Sequence, residues 1–122
     1  MKKKMYYLST CSTCQRIQGE LGSLLDGVEL HEIKGNPMTE EQLEEMRLLA
    51  GSYEALFSKR AMKYRQLGLH EQTLSEADMK TWILKEYTFL KRPVTLVGDT
   101  IFVGSAKKEV AALRQALEKA GV

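Results

Sequence analysis

The chain has 122 residues, enough for one domain with a core of its own and no need of disulfide staples. Its composition, 43% hydrophobic and 28% charged, is that of a globular protein. With 18 basic against 16 acidic side chains the net charge is +2, too balanced to argue for nucleic acid or membrane binding. The start Met1-Lys2-Lys3-Lys4 is basic, but the apolar run after it covers only Met5 to Leu8. An export signal needs about 7–15 apolar residues and a membrane span roughly 18, so the expectation is a cytoplasmic protein.

In chain order, Met5 to Leu8 predicts a buried strand. Ile17, Leu21, Leu24 and Leu25 then recur at helical spacing, which predicts a helix over about 15–25, weakened by Gly22 and ended by Gly27. Val28 to Ile33 predicts a second strand, completing a right-handed βαβ unit with parallel strands. Asn36-Pro37 marks a turn. Thr39 with Gln42 is a capping-box signature, and Leu43, Met46, Leu49 and Ala50 give a helix ending near Gly51. Short helical stretches follow over about 52–57 and 61–67, the latter stopped by Gly68, and Ser75 with Asp78 opens a further helix carrying Met79, Trp82 and Ile83. The middle of the chain thus reads as helical, with no strand signal. Val94 to Val97 and Thr100 to Val103, joined by Gly98-Asp99, predict a β-hairpin. Val110, Leu113 and Leu117 mark the last helix. The order βαβ, helices, ββα predicts an α/β, thioredoxin-like domain over 1–122. Its mixed four-stranded sheet is interrupted by a helical insertion over about 38–89, between strands 2 and 3.

The chain's two cysteines, Cys11 and Cys14, stand three apart where the first strand gives way to the first helix. That is no secreted disulfide framework but a reactive pair suited to a reducing compartment. A helix N-terminus carries partial positive charge and unpaired N–H groups, so a thiolate at Cys11 is favoured there, and Arg16 on the next turn can add to this. Cys14, one turn on, is placed to attack a mixed disulfide on Cys11. The expected chemistry is thiol–disulfide exchange, with Cys11 as nucleophile and Cys14 as resolving thiol. Two inert buried cysteines are the bland alternative. Zinc wants four ligands, and His31 and His70 have no ligand-like spacing to the pair, so no metal is expected. Both histidines read as core or surface residues rather than proton shuttles. Pro93 opens the third strand, where a thioredoxin-like fold typically places a cis-proline beside the cysteine pair.

Taken together, these landmarks resemble the ArsC/Spx family, which joins glutaredoxin-type arsenate reductases to the Spx transcriptional regulators. The resemblance runs over nearly the whole chain. It rests on 7-YLSTCSTCQR-16, 56-LFSKR-60, 64-YRQLGL-69, 90-LKRPV-94 and Val103-Gly104. It implies that Cys11 is the nucleophile, that Arg92 holds a substrate oxyanion, and that Arg60 lies in the segment supplying a second arginine. The reductase match for that second arginine falls at Ser58, and Arg60 fits the Spx-like spacing. Guanidinium groups suit a tetrahedral oxyanion because they bind it bidentately, and they lower a neighbouring thiol pKa. Two departures stand out. Gly104 occupies the place of a third reductase arginine, and a C-x-x-C replaces the single cysteine used with glutathione and glutaredoxin. The resemblance therefore implies a thiol-dependent reductase acting on a small oxyanion or an oxidised thiol. It would hold no bound cofactor, and its electrons would come from glutathione or from a thioredoxin or glutaredoxin partner protein. The alternative it implies is a Spx-like redox switch that binds the RNA polymerase α subunit near Gly51, or another protein. A redox-inert relative is a third reading. None involves direct nucleic acid or membrane contact.

Overall fold

The computed structural model describes residues 1–121. The chain divides into two compact units: Met1–Asn36 with the stretch from Arg92 onward, and Pro37–Lys91, the region read from sequence as an insertion over about 38–89.

The first unit is built on a mixed four-stranded sheet with strand order β2-β1-β3-β4. β1 (Lys3–Tyr7) pairs in parallel with β2 (Glu29–Glu32) and antiparallel with β3 (Val94–Val97), which forms the hairpin with β4 (Thr100–Val103). The parallel pair is joined by α1 (Ser12–Leu21) and a 3-10 turn, Gly22–Leu25. α5 (Lys107–Ala120) follows the hairpin. Met5, Val97 and Phe102 on one face of the sheet form a single core with Ile17 and Leu21 of α1 and with Val110, Leu113 and Leu117 of α5. Burying a side chain the size of Ile17 or Leu21 contributes about 1.5–3 kcal/mol, so these two residues anchor α1 while its N-terminus stays beyond the C-terminal end of β1.

The first helix starts three residues earlier than its apolar spacing suggests and stops at Leu21 rather than Leu25. Gly22, at φ 52°, turns the chain into the 3-10 segment, so Leu24 and Leu25 pack on the core from that segment. The second strand is shorter than 28–33, although the Ile33 N–H still reaches the Tyr7 carbonyl at 2.9 Å.

The second unit holds α2 (Glu40–Ala50), α3 (Met62–Gln66) and α4 (Glu76–Lys85). Thr39 and Gln42 close a reciprocal capping box on α2, and Ser75 and Asp78 close one on α4. Each box satisfies two N–H groups that a helix start leaves unpaired. Gly51 ends α2 at φ 99°, a conformation that L side chains rarely adopt. The unit carries an aromatic cluster: Phe57 stacks on Phe89 at 5.1 Å, and Trp82 and Tyr64 meet these rings edge-on at 5.9 Å. The stretch 52–57 is not helical. The Glu76 carboxylate takes the N–H groups of Tyr53 and Glu54, the Ser52 hydroxyl takes that of Ala55, and the Leu56 and Phe57 amides bond back only three residues, so the stretch closes as a tight turn and goes no further. The segment instead ends in an isolated antiparallel bridge, Phe57 to Leu90, a pairing absent from the local sequence pattern.

Candidate functional site

β1 ends at Tyr7, and a tight turn over Leu8–Cys11 leads into α1. The Cys11 N–H donates to the Leu8 carbonyl at 3.1 Å, and the Cys11 carbonyl accepts the first helical bond from Gln15 at 3.1 Å. Cys11 is therefore the N-cap of α1, extended at φ −87° and ψ 114°. No serine, threonine or acidic oxygen stands at this cap; a thiol takes its place.

Cys11 is partly exposed and Cys14 is buried, and both are free thiols. Their acidities diverge for reasons visible in the structure. At Cys11 burial opposes ionisation, but the N–H groups of Cys14 and Thr13, the Cys14 side chain and the Arg92 guanidinium all favour negative sulfur. Together they bring its pKa below the usual thiol value. At Cys14 burial dominates and pushes the thiol up to about 11, and the charge on Cys11 adds to the rise. Near neutral pH the pair thus holds one ionisable, accessible sulfur beside one buried, protonated sulfur.

Arg92 reaches this site because β3 runs antiparallel to β1. The register pairs Tyr6 with Val94, which lays the Arg92-Pro93 step alongside the end of β1 where the cysteine turn begins. The Arg92–Pro93 peptide bond is cis. The Pro93 carbonyl accepts the Gly104 N–H at 2.9 Å, and the Glu109 carboxylate accepts the neighbouring Val103 N–H at 2.9 Å. Gly104 itself sits at φ 90°. An added side chain would meet no atom within 4 Å but would strain the backbone, so this turn is shaped for glycine and disfavours an arginine.

The structure gathers Cys11, Cys14 and Arg92 in one place. Arg16, expected to support the thiolate, forms an ion pair with Glu20 one turn along at 3.0 Å. Arg60 is exposed in the turn before α3 and belongs to the second unit. His31 Nε2 lies 2.6 Å from the Asn36 carbonyl, and His70 lies 3.8 Å from Glu71. Among the described residues no three His, Cys, Asp or Glu side chains are grouped to hold a metal, and no helix is long and apolar enough to cross a membrane.

Sequence reasoning missed Glu32, the last residue of β2. Its Oε2 accepts the Ser9 N–H at 2.7 Å, and its Oε1 accepts those of Lys34 at 2.7 Å and Gly35 at 2.8 Å. Although desolvation pushes its pKa up, these donors together hold it down at about 2. From the other side the Gln15 amide donates to the Ser9 carbonyl at 2.7 Å. A glutamate two and three residues before the amides it accepts is a weak local signal. The bond to Ser9, 23 residues away, has none.

The ArsC family model matches residues 6–113 of the chain. No curated protein matches it significantly. Solved structures do. The protein named YFFB aligns with 95% of this chain over 99% of its own length, at a TM-score of 0.80 and 21% identity. The arsenate reductase from Vibrio cholerae aligns with 92% over 97%, at 0.76 and 16%. An arsenate reductase (ArsC) related protein from Brucella melitensis aligns with 92% over 93%, at 0.71 and 19%. At these identities the structures establish the shared thioredoxin-like fold.

Proposed function

The chain belongs to the ArsC family, and from that premise we propose that it is a thiol-dependent reductase in which Cys11 is the nucleophile, Cys14 the resolving thiol and Arg92 the anion-binding residue. The observation that supports this most is the opposed acidity of two thiols one helical turn apart, with a guanidinium beside the more acidic one. The Cys11 thiolate attacks the sulfur of an oxidised thiol substrate such as a glutathione mixed disulfide, and the leaving thiolate departs with the S–S electron pair. Cys14 gives up its proton and attacks Cys11 sulfur, which releases the second thiol and leaves a Cys11–Cys14 disulfide. Two electrons from glutathione or a thioredoxin-type partner then restore the dithiol. With arsenate, the intermediate is a Cys11–arsenic bond formed with loss of water. Attack by Cys14 on Cys11 sulfur leaves the bonding pair on arsenic as arsenite. Gly104 favours the oxidised-thiol substrate, because its left-handed backbone disfavours the further arginine that an oxyanion would use. A reducing, cytoplasmic setting suits the need for both thiols to cycle.

The test is turnover of a glutathionylated peptide and of arsenate by the wild-type chain and by Cys11→Ser. Activity with either substrate that disappears in the variant supports the assignment, while equal activity in both proteins refutes it. The second reading keeps the same disulfide but uses it to change affinity for a protein such as the RNA polymerase α subunit. It draws on the intact C-x-x-C. Redox-dependent capture of that subunit without turnover would favour it.

A further inference from the structure

The turn that carries Cys11 lies beyond the end of the β1–β2 ladder, where the sheet no longer supplies partners for its backbone. The last pair is Tyr7 with Glu32, and the Ile33 N–H to the Tyr7 carbonyl closes the ladder. The next exposed amide, that of Ser9, is taken by the Glu32 carboxylate, and the Ser9 carbonyl is taken by the Gln15 side chain. One residue is thus held at both its N–H and its C=O by side chains from two different elements, β2 and α1. Glu32 is itself fixed by the Lys34 and Gly35 amides of its own turn. The Leu8 carbonyl and the Cys11 N–H close the turn around this point.

We propose that Glu32 and Gln15 are positioning residues that clamp Ser9 and so hold Cys11 at the N-cap of α1, where the helix N–H groups and Arg92 act on its sulfur. The proposal rests on the reading of Cys11 as the nucleophile, and neither side chain is a catalytic residue. The clamp matters because the N–H groups of Thr13 and Cys14 favour the thiolate only while Cys11 keeps its extended cap geometry. Ser9 and Thr10 are exposed, so a turn without the clamp would be free to exchange these bonds for water. Glu32 also brings a negative charge toward the site, and the two effects of removing it have opposite signs. Loss of charge alone makes Cys11 more acidic. Loss of position makes it less acidic.

Glu32→Gln reports the sum of the two, and Gln15→Ala reports position alone. The amide oxygen can keep the Lys34 and Gly35 bonds, while its NH2 faces the Ser9 N–H, donor against donor. Gln15→Ala releases the Ser9 carbonyl without touching a charge. Both are made in a Cys14→Ser background so that iodoacetamide reports one thiol. The expected result is a midpoint of alkylation displaced to higher pH in each variant, with alkylation at neutral pH about threefold slower, as for one weakened charge-assisted contact to the thiolate. The double variant is expected to lose less than the sum, since both residues hold the same turn. Should Glu32→Gln fail to fold, Gln15→Ala carries the test. An unchanged or lowered midpoint in folded Gln15→Ala overturns the proposal. In the parent protein the Ser9, Lys34 and Gly35 amide signals should move together in one acid titration, and independent behaviour would overturn it too. An ordinary, unactivated thiol in the parent would instead refute the nucleophile reading, while the amide titration would still report the clamp.

Discussion

Arg92→Ala is the substitution whose effect on the thiol can be worked through most completely. The guanidinium is one of the groups that favour negative charge on Cys11 sulfur. A hydrogen bond to a charged group contributes about 1.5–3 kcal/mol. Cys11 is partly exposed, so solvent screening brings the figure to the low end, about 1.4 kcal/mol, which is a factor of about ten in the thiol's ionisation equilibrium. At a pH below the midpoint the thiolate population falls by that factor. A less acidic thiol gives a more nucleophilic thiolate, however, with a Brønsted coefficient of about 0.4–0.5, and that returns about threefold in rate per tenfold in acidity. Alkylation of the Cys14→Ser protein should therefore slow about threefold at neutral pH on replacing Arg92. At high pH, where both thiols are ionised, the variant should react about threefold faster. The two pH–rate curves should cross. Arg92→Lys keeps the charge without the planar fork and should fall between them. Superimposed curves would refute the reasoning, since the helix N-terminus would then suffice to activate the thiol and Arg92 would have no place beside it.

Cys14→Ser should stop the cycle after its first step. Attack by Cys11 survives, and a stable one-to-one adduct with a glutathionylated peptide should accumulate and be visible by mass spectrometry. Its absence would count against a resolving role. Ile17→Ala deletes a fully buried side chain beneath α1 and should cost about 2–5 kcal/mol in urea unfolding, with the alkylation midpoint of the folded protein unchanged. A moved midpoint would show that core packing rather than the cap sets the thiol's acidity. Acid should destabilise the protein in a defined window. The folded pKa of Glu32 lies at about 2, below its ordinary 4.5, so its contribution is fully present above pH 4.5 and is lost as pH falls toward 2. Between pH 5 and pH 2 the wild type should therefore lose more of its urea midpoint than Glu32→Gln does. Parallel losses would show that the carboxylate is not held in this way.

The features legible in the sequence are those whose cause is local. Thr39 with Gln42 and Ser75 with Asp78 close capping boxes three residues apart, and Gly98-Asp99 joins its two strands directly. A cysteine pair between a strand and a helix also carries its placement with it. Two of the features that failed depend on side chains reaching across the chain to backbone. Residues 52–57 have helical spacing, yet they stop at one turn, with the Tyr53 and Glu54 amides held by Glu76, over twenty residues away, a contact that no periodicity registers. Arg16 was read by distance along the helix from Cys11, but Glu20 at i+4 is an equally near neighbour of opposite charge and holds it. Glu32 was invisible for the same reason as Glu76: its main bond closes a loop of 23 residues.

The opposed thiols follow from where one helical turn puts them. An N-cap lies at the open end of a helix, in reach of solvent and of free N–H groups. Three residues on, the same helix has closed a turn and faces the sheet. A C-x-x-C placed at that boundary therefore has one sulfur in a field that favours ionisation and one sulfur in a medium that resists it, before any other residue acts. Arg92 strengthens the first effect, and the burial of Cys14 makes the second. Under the proposed function, this sets the order of events for thiol exchange. The accessible sulfur reacts first because it is the more readily ionised of the two. The buried sulfur stays protonated until Cys11 has been consumed as a thiolate, and the loss of that charge removes one of the causes that raised Cys14. The second thiol is thus made more acidic by the completion of the first step, which couples resolution to attack.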